Sequence, residues 1–160
     1  MNQKKARKII AAVIAAVFIA SFALYGCNKT YTPADDEIAL QITLDTKEDV
    51  GLIVYDYSVG ENEFSGGISN ADKSLINHDD VIIQPLNKQQ DFNNLSDIED
   101  LTIRFTIITE YIDPNYDNIY PEEYTKLMET PIALNAHYGE SYFITISGDK
   151  TNGYQAFLEE

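Results

Sequence analysis

Residues 101–112, LTIRFTIITEYI, carry the longest strand signal in the sequence. Apolar residues recur at every second position, which is typical of a half-buried β-strand because successive side chains point to opposite sides of a sheet. The residues that share the apolar face are Leu101, Ile103, Phe105, Ile107 and Tyr111. The segment therefore predicts a long strand that contributes one face to a core.

Shorter segments with the same character lie on both sides of this strand. They are 37–44, 51–58, 81–86, 132–138, 142–147 and 154–158, and most are bounded by glycine-containing turns. Seven or eight short strands separated by turns predict an antiparallel β-sandwich, immunoglobulin-like or fibronectin-like, over residues 37–160. The predicted core includes Ile38, Leu40, Ile42, Ile103, Phe105, Ile107, Tyr142 and Ile144.

Only two short helical pieces are expected, a turn at 71–75 and residues 122–128 behind Pro121. Parallel strands need long crossover connections, usually helices, and two such pieces do not supply them. The expected fold class is therefore all-β, preceded by an N-terminal signal or anchor helix.

The N-terminus has the layout of an export signal. Four basic residues lie in positions 1–8, and the 18 residues from Ile9 to Gly26 carry no charge. At the end of this run, Leu24-Tyr25-Gly26-Cys27 resembles the lipobox of bacterial lipoproteins. The resemblance implies that Cys27 is acylated and becomes the new N-terminus after cleavage. The alternative is an uncleaved membrane anchor, because 18 helical residues span about 27 Å.

These features divide the chain into a signal peptide or membrane anchor at 1–26, a tether at 27–36 and the β-domain at 37–160. Under both interpretations the domain lies on the extracytoplasmic face of a bacterial membrane, either lipid-anchored or held by a single span. Cys27 is the only cysteine. Disulfides therefore cannot stabilise the domain, and its stability must come from the apolar core.

All 26 acidic residues and seven of the 11 basic residues follow Gly26, so the formal charge of that part is −19. Such a surface repels phosphate backbones and anionic headgroups, because binding to either depends on cationic side chains. The composition excludes nucleic acid as a partner. The expected contact with the membrane is through the lipid or anchor alone.

A calcium site is one candidate in the acidic segment after the long strand. Asp113, Asn115 and Asp117 place oxygen atoms at alternate positions, as in the first half of a calcium-binding loop. The alternative is a solvated turn, since the glycine and the bidentate glutamate of an EF-hand loop are missing. No other cofactor is expected.

A ligand site is the second candidate, on two predicted strands. Asp56 lies between Tyr55 and Tyr57, and Glu110 precedes Tyr111. Two carboxylates flanked by aromatic rings are typical of glycosidase acid/base pairs and of surfaces that stack on sugars. The simpler alternative is an ion pair between Glu110 and Arg104 on the solvent side of the sheet.

Two functional classes follow from these features. The first is a non-enzymatic binding or structural domain, tethered to the membrane, whose partner is an envelope protein or glycan. The second is an exported carbohydrate-active hydrolase. The polar stretch 87–100 would be a binding loop or a mobile edge in either class.

Overall fold

The computed structural model describes residues 31–113 and 119–159, and their regular structure consists of nine β-strands. The strands are β1 (Glu37–Thr46), β2 (Leu52–Val59), β3 (Asn62–Ile68), β4 (Val81–Asn87), β5 (Ile98–Ile108), β6 (Thr125–Leu127), β7 (Ile132–Ala136), β8 (Ser141–Asp149) and β9 (Gly153–Leu158). In these ranges no helix is long and apolar enough to cross a bilayer. The predicted signal helix and Cys27 lie outside the described residues.

The strands form two sheets. One has four strands in the order β4-β1-β8-β9. The other has five: β3-β2-β5, with β6 and β7 pairing successive parts of β5 along its far edge. Described residues of both sheets contribute to one apolar cluster. The prediction of an all-β domain is confirmed for the described part of the chain.

One strand pair corrects the expectation of wholly antiparallel sheets. Strands β1 and β8 run parallel, with a register from Ala39 opposite Ser141 to Thr46 opposite Gly148. The other pairs between the described strands are antiparallel. A parallel pair needs only a long connection. Here that connection is the chain through the second sheet, so a crossover helix is not required.

Of the two predicted helical pieces, only the one at 122–128 is corrected. The segment 71–75 begins with the predicted turn and leads to a bridge between Ile76 and Val50. The 122–128 segment contains β6, which pairs with the end of β5. Backbone hydrogen bonds continue this pairing on both sides, from Thr109 N to Tyr124 O and from Met128 N to Phe105 O. Pairing with an open strand edge outweighed the weak helix signal.

The core occupies the facing sides of the sheets. Of the eight predicted core residues, seven are exposed by 1 % or less, and Tyr142 is half-buried against the same cluster. The alternation of apolar residues placed these positions correctly. Phe92, which was not predicted, is also fully buried.

Phe92 anchors the polar stretch 87–100. Its ring lies edge-on to Tyr57 at 5.6 Å and to Tyr138 at 5.9 Å between centroids. The Tyr57 hydroxyl donates to the carbonyl of Asp91, and the Tyr138 hydroxyl donates to the carbonyl of Leu95, both at 2.9 Å. The stretch is therefore tied to the core by one aromatic side chain and two hydrogen bonds, unlike the mobile edge considered from the sequence.

A buried carboxylate organises the turn between β8 and β9. Asp149 accepts hydrogen bonds from the backbone N–H groups of Thr151 and Asn152, at 2.9 and 2.7 Å, and pairs with Lys47 at 2.5 Å. Gly148 precedes it with a φ of 121°, where a Cβ would lie 2.3 Å from the carbonyl oxygen of Gly153. The Lys47 ion pair ties the β1–β2 connection to this turn.

Residues 31–36, part of the predicted tether, make hydrogen bonds to the domain. The Glu37 carboxylate accepts from the Tyr31 hydroxyl and from the Ala34 N–H, and the Asp36 carbonyl accepts from the Lys88 N–H. The described part of the tether is therefore held along the start of β1.

Replacing Phe92 by Ala tests whether the 87–100 segment is part of the core. The loss of a fully buried ring should reduce the free energy of unfolding by about 3 to 5 kcal/mol, as should Phe105→Ala. Urea unfolding followed by circular dichroism measures the change. The control is Phe143→Ala, which removes a ring that is 44 % exposed, and a loss as small as in this control would show that the segment is not anchored.

Asp149 makes stability depend on pH. The Lys47 ammonium and then the Asn152 and Thr151 donors hold the pKa of this carboxyl well below its usual range. A lowered pKa stabilises the fold above the unfolded value, near 3.9, and this contribution is lost as the pH falls through the folded value. Asp149→Asn should therefore melt at a lower temperature than wild type at pH 7. The difference between the two melting temperatures should become smaller below about pH 4. Asp100→Asn, which changes an exposed carboxylate, is the control. A difference in melting temperature between Asp149→Asn and wild type that does not change with pH would contradict this role of Asp149.

Candidate functional site

The outer face of the five-stranded sheet has a covered half and an open half. In the covered half, Leu52, Val54 and Ile108 form a second apolar cluster. Side chains from the connection after β5 pack over it; they are Tyr111, Ile112, Tyr120 and Tyr124. This half of the face therefore offers no free surface at those positions.

The open half carries a groove of about 620 Å³. Polar side chains dominate its lining, and the lining residues are Asp56, Tyr57, Ser58, Glu63, Phe64, Ser65, Thr102, Arg104 and Pro131. Acceptors, hydroxyl groups and one guanidinium thus converge on a single concave surface, which is the usual composition of the polar part of a ligand site.

The strand register places these groups in two rows. Asp56 on β2 lies opposite Ser65 on β3 and Arg104 on β5. One step along the groove, Ser58 lies opposite Glu63 and Thr102. Directly opposite side chains on one face are about 5 Å apart. A single ligand can therefore contact members of both rows.

Asp56 and Arg104 are both exposed, and no ion pair between them is found in the described residues. The guanidinium offers donors in a planar fork, and the carboxylate offers two acceptor oxygens. Both groups are therefore free to bind a ligand that has donors and acceptors close together.

The burial of its two neighbouring tyrosines fixes which way Asp56 points. On the inner side, the Tyr55 ring lies across Gly66 of β3, where a Cβ would come within 2.5 Å of the ring. Burial, with a smaller contribution from the charge of Asp91, raises the pKa of Tyr55 to about 12. Because Tyr55 and Tyr57 point into the core, the alternating Asp56 must point into the groove.

Tyr55 and Tyr57 were predicted to form a stacking surface for sugars, and the structure places them elsewhere. Each is only 4 % exposed, and both rings belong to the core. Neither ring presents a face to a ligand in the groove. Of the four predicted ligand residues, Asp56 and Tyr57 border the groove, but the Tyr57 hydroxyl is bonded to the Asp91 carbonyl on the core side, so only Asp56 directs its polar group to a ligand.

Glu110, the fourth predicted ligand residue, is exposed beyond the end of β5. It lies six residues beyond Arg104, the residue opposite Asp56, which is about 20 Å along a strand. Carboxylates of a glycosidase pair are about 5 to 9.5 Å apart. Asp56 and Glu110 are therefore too distant to act together, and Arg104 and Glu110 are too distant for the predicted ion pair.

The sequence did not identify Glu63, Ser58, Ser65, Thr102 or Arg104 as ligand groups. Alternation alone places Ser58 on the same face as Asp56. The contributions of β3 and β5 depend on strand register, which separate segments of sequence do not reveal.

Asp113 of the predicted calcium site is engaged in an ion pair. Its Oδ1 atom accepts from Lys73 Nζ at 2.8 Å and from the Tyr111 hydroxyl at 3.3 Å. Asn115 and Asp117 lie outside the described residues. No cluster of three His, Cys, Asp or Glu side chains suited to a metal occurs in 31–113 and 119–159. The calcium site stays a prediction.

Comparisons with known proteins give no family. No family model matches the chain, and no curated protein matches it. Among solved structures, a disulfide-locked mutant of intermedilysin with human CD59 aligns with 77 % of this chain and 24 % of its own, at 10 % identity and a TM-score of 0.37. Pneumolysin aligns with 78 % of this chain and 23 % of its own, at 11 % identity and a TM-score of 0.34.

The membrane-binding domain of pneumolysin aligns with 78 % of this chain and 96 % of its own, at 8 % identity and a TM-score of 0.33. The chain spans about a quarter of the length of the two whole toxins. Scores at this level carry no conclusion about the fold or the function.

Proposed function

We propose that this chain is a membrane-tethered extracytoplasmic lipoprotein whose β-domain binds an envelope component. The export signal and the lipobox-like residues ending at Cys27 support the location. The apolar cluster shared by the two sheets supports a sandwich of the immunoglobulin-like or fibronectin-like kind.

The polar groove carries the proposal of binding. Its rows combine a guanidinium, two carboxylates and three hydroxyl groups, and Pro131 adds apolar surface. A glycan fits this chemistry, because its hydroxyl groups donate and accept hydrogen bonds at short spacing. The ligand class we propose is therefore an envelope glycan that lies across β3, β2 and β5.

One pair of groove residues keeps the hydrolase as a second candidate. Asp56 and Glu63 occupy diagonal positions on neighbouring strands, whose Cα atoms are about 7 to 8 Å apart. This spacing suits the carboxylates of an inverting glycosidase. Both side chains are exposed, whereas a general acid needs an environment that raises its pKa. The exposure favours binding without catalysis.

Arg104→Gln and Asp56→Asn test the groove. Each removes a charged hydrogen-bonding group, worth about 1.5 to 3 kcal/mol, so each should weaken binding by roughly 10- to 150-fold. The measurement is calorimetric titration of the detergent-solubilised full-length chain with glycans released from the host envelope. Glu110→Gln, which changes the net charge as Asp56→Asn does, should leave the affinity unchanged.

Equal affinities in all variants would exclude the groove as the site. The same mixtures report on catalysis, because a hydrolase would release new reducing ends. If the release of reducing ends required both Asp56 and Glu63, the chain would be a hydrolase, and the proposal of binding without catalysis would be replaced.

Cys27→Ala tests the anchor. Wild-type protein expressed in its host should incorporate labelled fatty acid and sediment with membranes, whereas Cys27→Ala should incorporate none, because the only thiol is gone. Equal labelling of both proteins would contradict the lipoprotein proposal. Membrane retention of both without labelling would support the uncleaved anchor instead.

A further inference from the structure

The four-stranded sheet has an outer face that carries no charge at its centre. The outward positions on its strands are Val81, Ile83 and Pro85 on β4, Ala39, Gln41 and Thr43 on β1, Ser141, Phe143, Thr145 and Ser147 on β8, and Gln155 and Phe157 on β9. The chain after Gly26 has a formal charge of −19, so twelve adjoining outward positions without a charge, of which Ala39 alone is fully buried, are unusual. We call this surface the β4/β9 face.

Apolar side chains project from this face into solvent. Val81 is 63 % exposed, Phe157 50 %, Phe143 44 % and Ile83 39 %. The register places Val81 and Phe157 in one row across the sheet, and Ile83 and Phe143 in the next. Thr43, Thr145 and Gln41 lie between the two apolar pairs, Val81 with Ile83 and Phe143 with Phe157. Exposed apolar side chains are characteristic of interaction sites, and charge depletion is characteristic of the centre of an interface.

Carboxylates surround the β4/β9 face. Asp45 follows the last central position of β1, and Asp79 lies beside it, just before β4. Glu159 lies at the far corner, where its carboxylate accepts a hydrogen bond from the Thr145 hydroxyl. The face thus has an uncharged centre, four exposed apolar side chains and an acidic rim.

The acidic rim disfavours two possible occupants. Two copies packed face to face would bring their rims together, and like charges at an interface cost several kcal/mol. A bilayer that contains anionic lipid would repel the same carboxylates. A surface with an apolar centre and basic side chains around it satisfies both parts of the face.

A polar group at the centre also favours a protein partner. Gln41 lies between Ile83 and Phe143, and its Nε2 atom is the only buried side-chain nitrogen or oxygen without a hydrogen-bond partner found in the part of the chain described. A backbone carbonyl of a partner would satisfy this donor after a small shift of the side chains around it. A hydrocarbon surface has no acceptor to offer.

We propose that the β4/β9 face docks a second envelope protein, through a flat apolar surface on that protein that is rimmed by lysine or arginine. This face belongs to the other sheet from the groove, so the docking is independent of the proposed ligand. The domain would hold a ligand on one sheet and a protein on the other.

Photo-cross-linking in the host tests the docking. Phe143 is replaced by p-benzoylphenylalanine in the full-length, membrane-held protein, and irradiation should give one protein adduct. Val81→Glu, which replaces the most exposed apolar side chain of the face by a charge, should reduce the adduct at least tenfold. Ile83→Gln, a milder change, should reduce it at least threefold.

The rim is tested by Asp45→Asn combined with Asp79→Asn. This pair should reduce the adduct at least threefold, and the cross-linked peptide of the partner should map to a surface with lysine or arginine around it. The control is Glu122→Gln combined with Glu123→Gln, which removes the same number of charges in the connection between β5 and β6. This pair should leave the adduct unchanged.

Two controls make the result specific. Leu75 is 37 % exposed in the connection between β3 and β4, so Leu75→Glu adds the same charge outside the β4/β9 face and should leave the adduct intact. Thermal melts should show that Val81→Glu and Ile83→Gln fold as wild type does.

Four outcomes would overturn the proposal. The first is an adduct of about twice the 18.0 kDa mass of the chain, which would mean self-association. The second is an adduct with lipid alone. The third is a protein adduct that Val81→Glu and Leu75→Glu affect equally, and the fourth is the absence of any adduct.

Discussion

Apolar contact between the two sheets is the interaction on which the rest of the domain depends. The only cysteine lies at position 27, so the domain has no covalent cross-link. Its largest fully buried side chains come from both sheets and include Leu40 and Ile42 of β1 and Phe105 of β5. Burial of a side chain of this size contributes roughly 1.5 to 3 kcal/mol. The polar features described above are positioned by this core.

The core also determines what each outer face can present. In a strand, every inward residue assigns its neighbours to the opposite side. The burial of Tyr55 and Tyr57 therefore places Asp56 in the groove, and the burial of Leu40 and Ile42 places Gln41 on the β4/β9 face. The outer surfaces of the two sheets differ in chemistry: one carries a charged groove, and the other has an uncharged centre with exposed apolar side chains.

The sequence predicted what depends on local alternation. It identified the strand region around Phe105 and seven fully buried core positions, because a period of two is visible within each segment. It did not predict the parallel pairing of β1 with β8 or the burial of Phe92, since both depend on contacts between distant segments. A single aromatic residue within a polar stretch gives no periodic signal.

The candidate site was less predictable than the fold for the same reason. Asp56 was identified from its own segment. Tyr55 and Tyr57 were predicted to contact a ligand, but their side chains face the core. Their flanking position suggested a binding surface, whereas alternation with Ile53 and Val59 assigns them to the core. The partners of Asp56 come from β3 and β5, and only the strand register shows them.

The parallel pairing of β1 and β8 has a consequence for how the chain acquires its structure. The segment that completes the β1 ladder, Ser141–Asp149, is made about a hundred residues after β1 itself. Until then, one edge of β1 carries unpaired backbone groups, and such an edge can pair with a wrong strand. Contacts this distant in sequence also slow folding. The unpaired edge of β1 is therefore protected from mispairing only once the hairpin of β8 and β9 has formed.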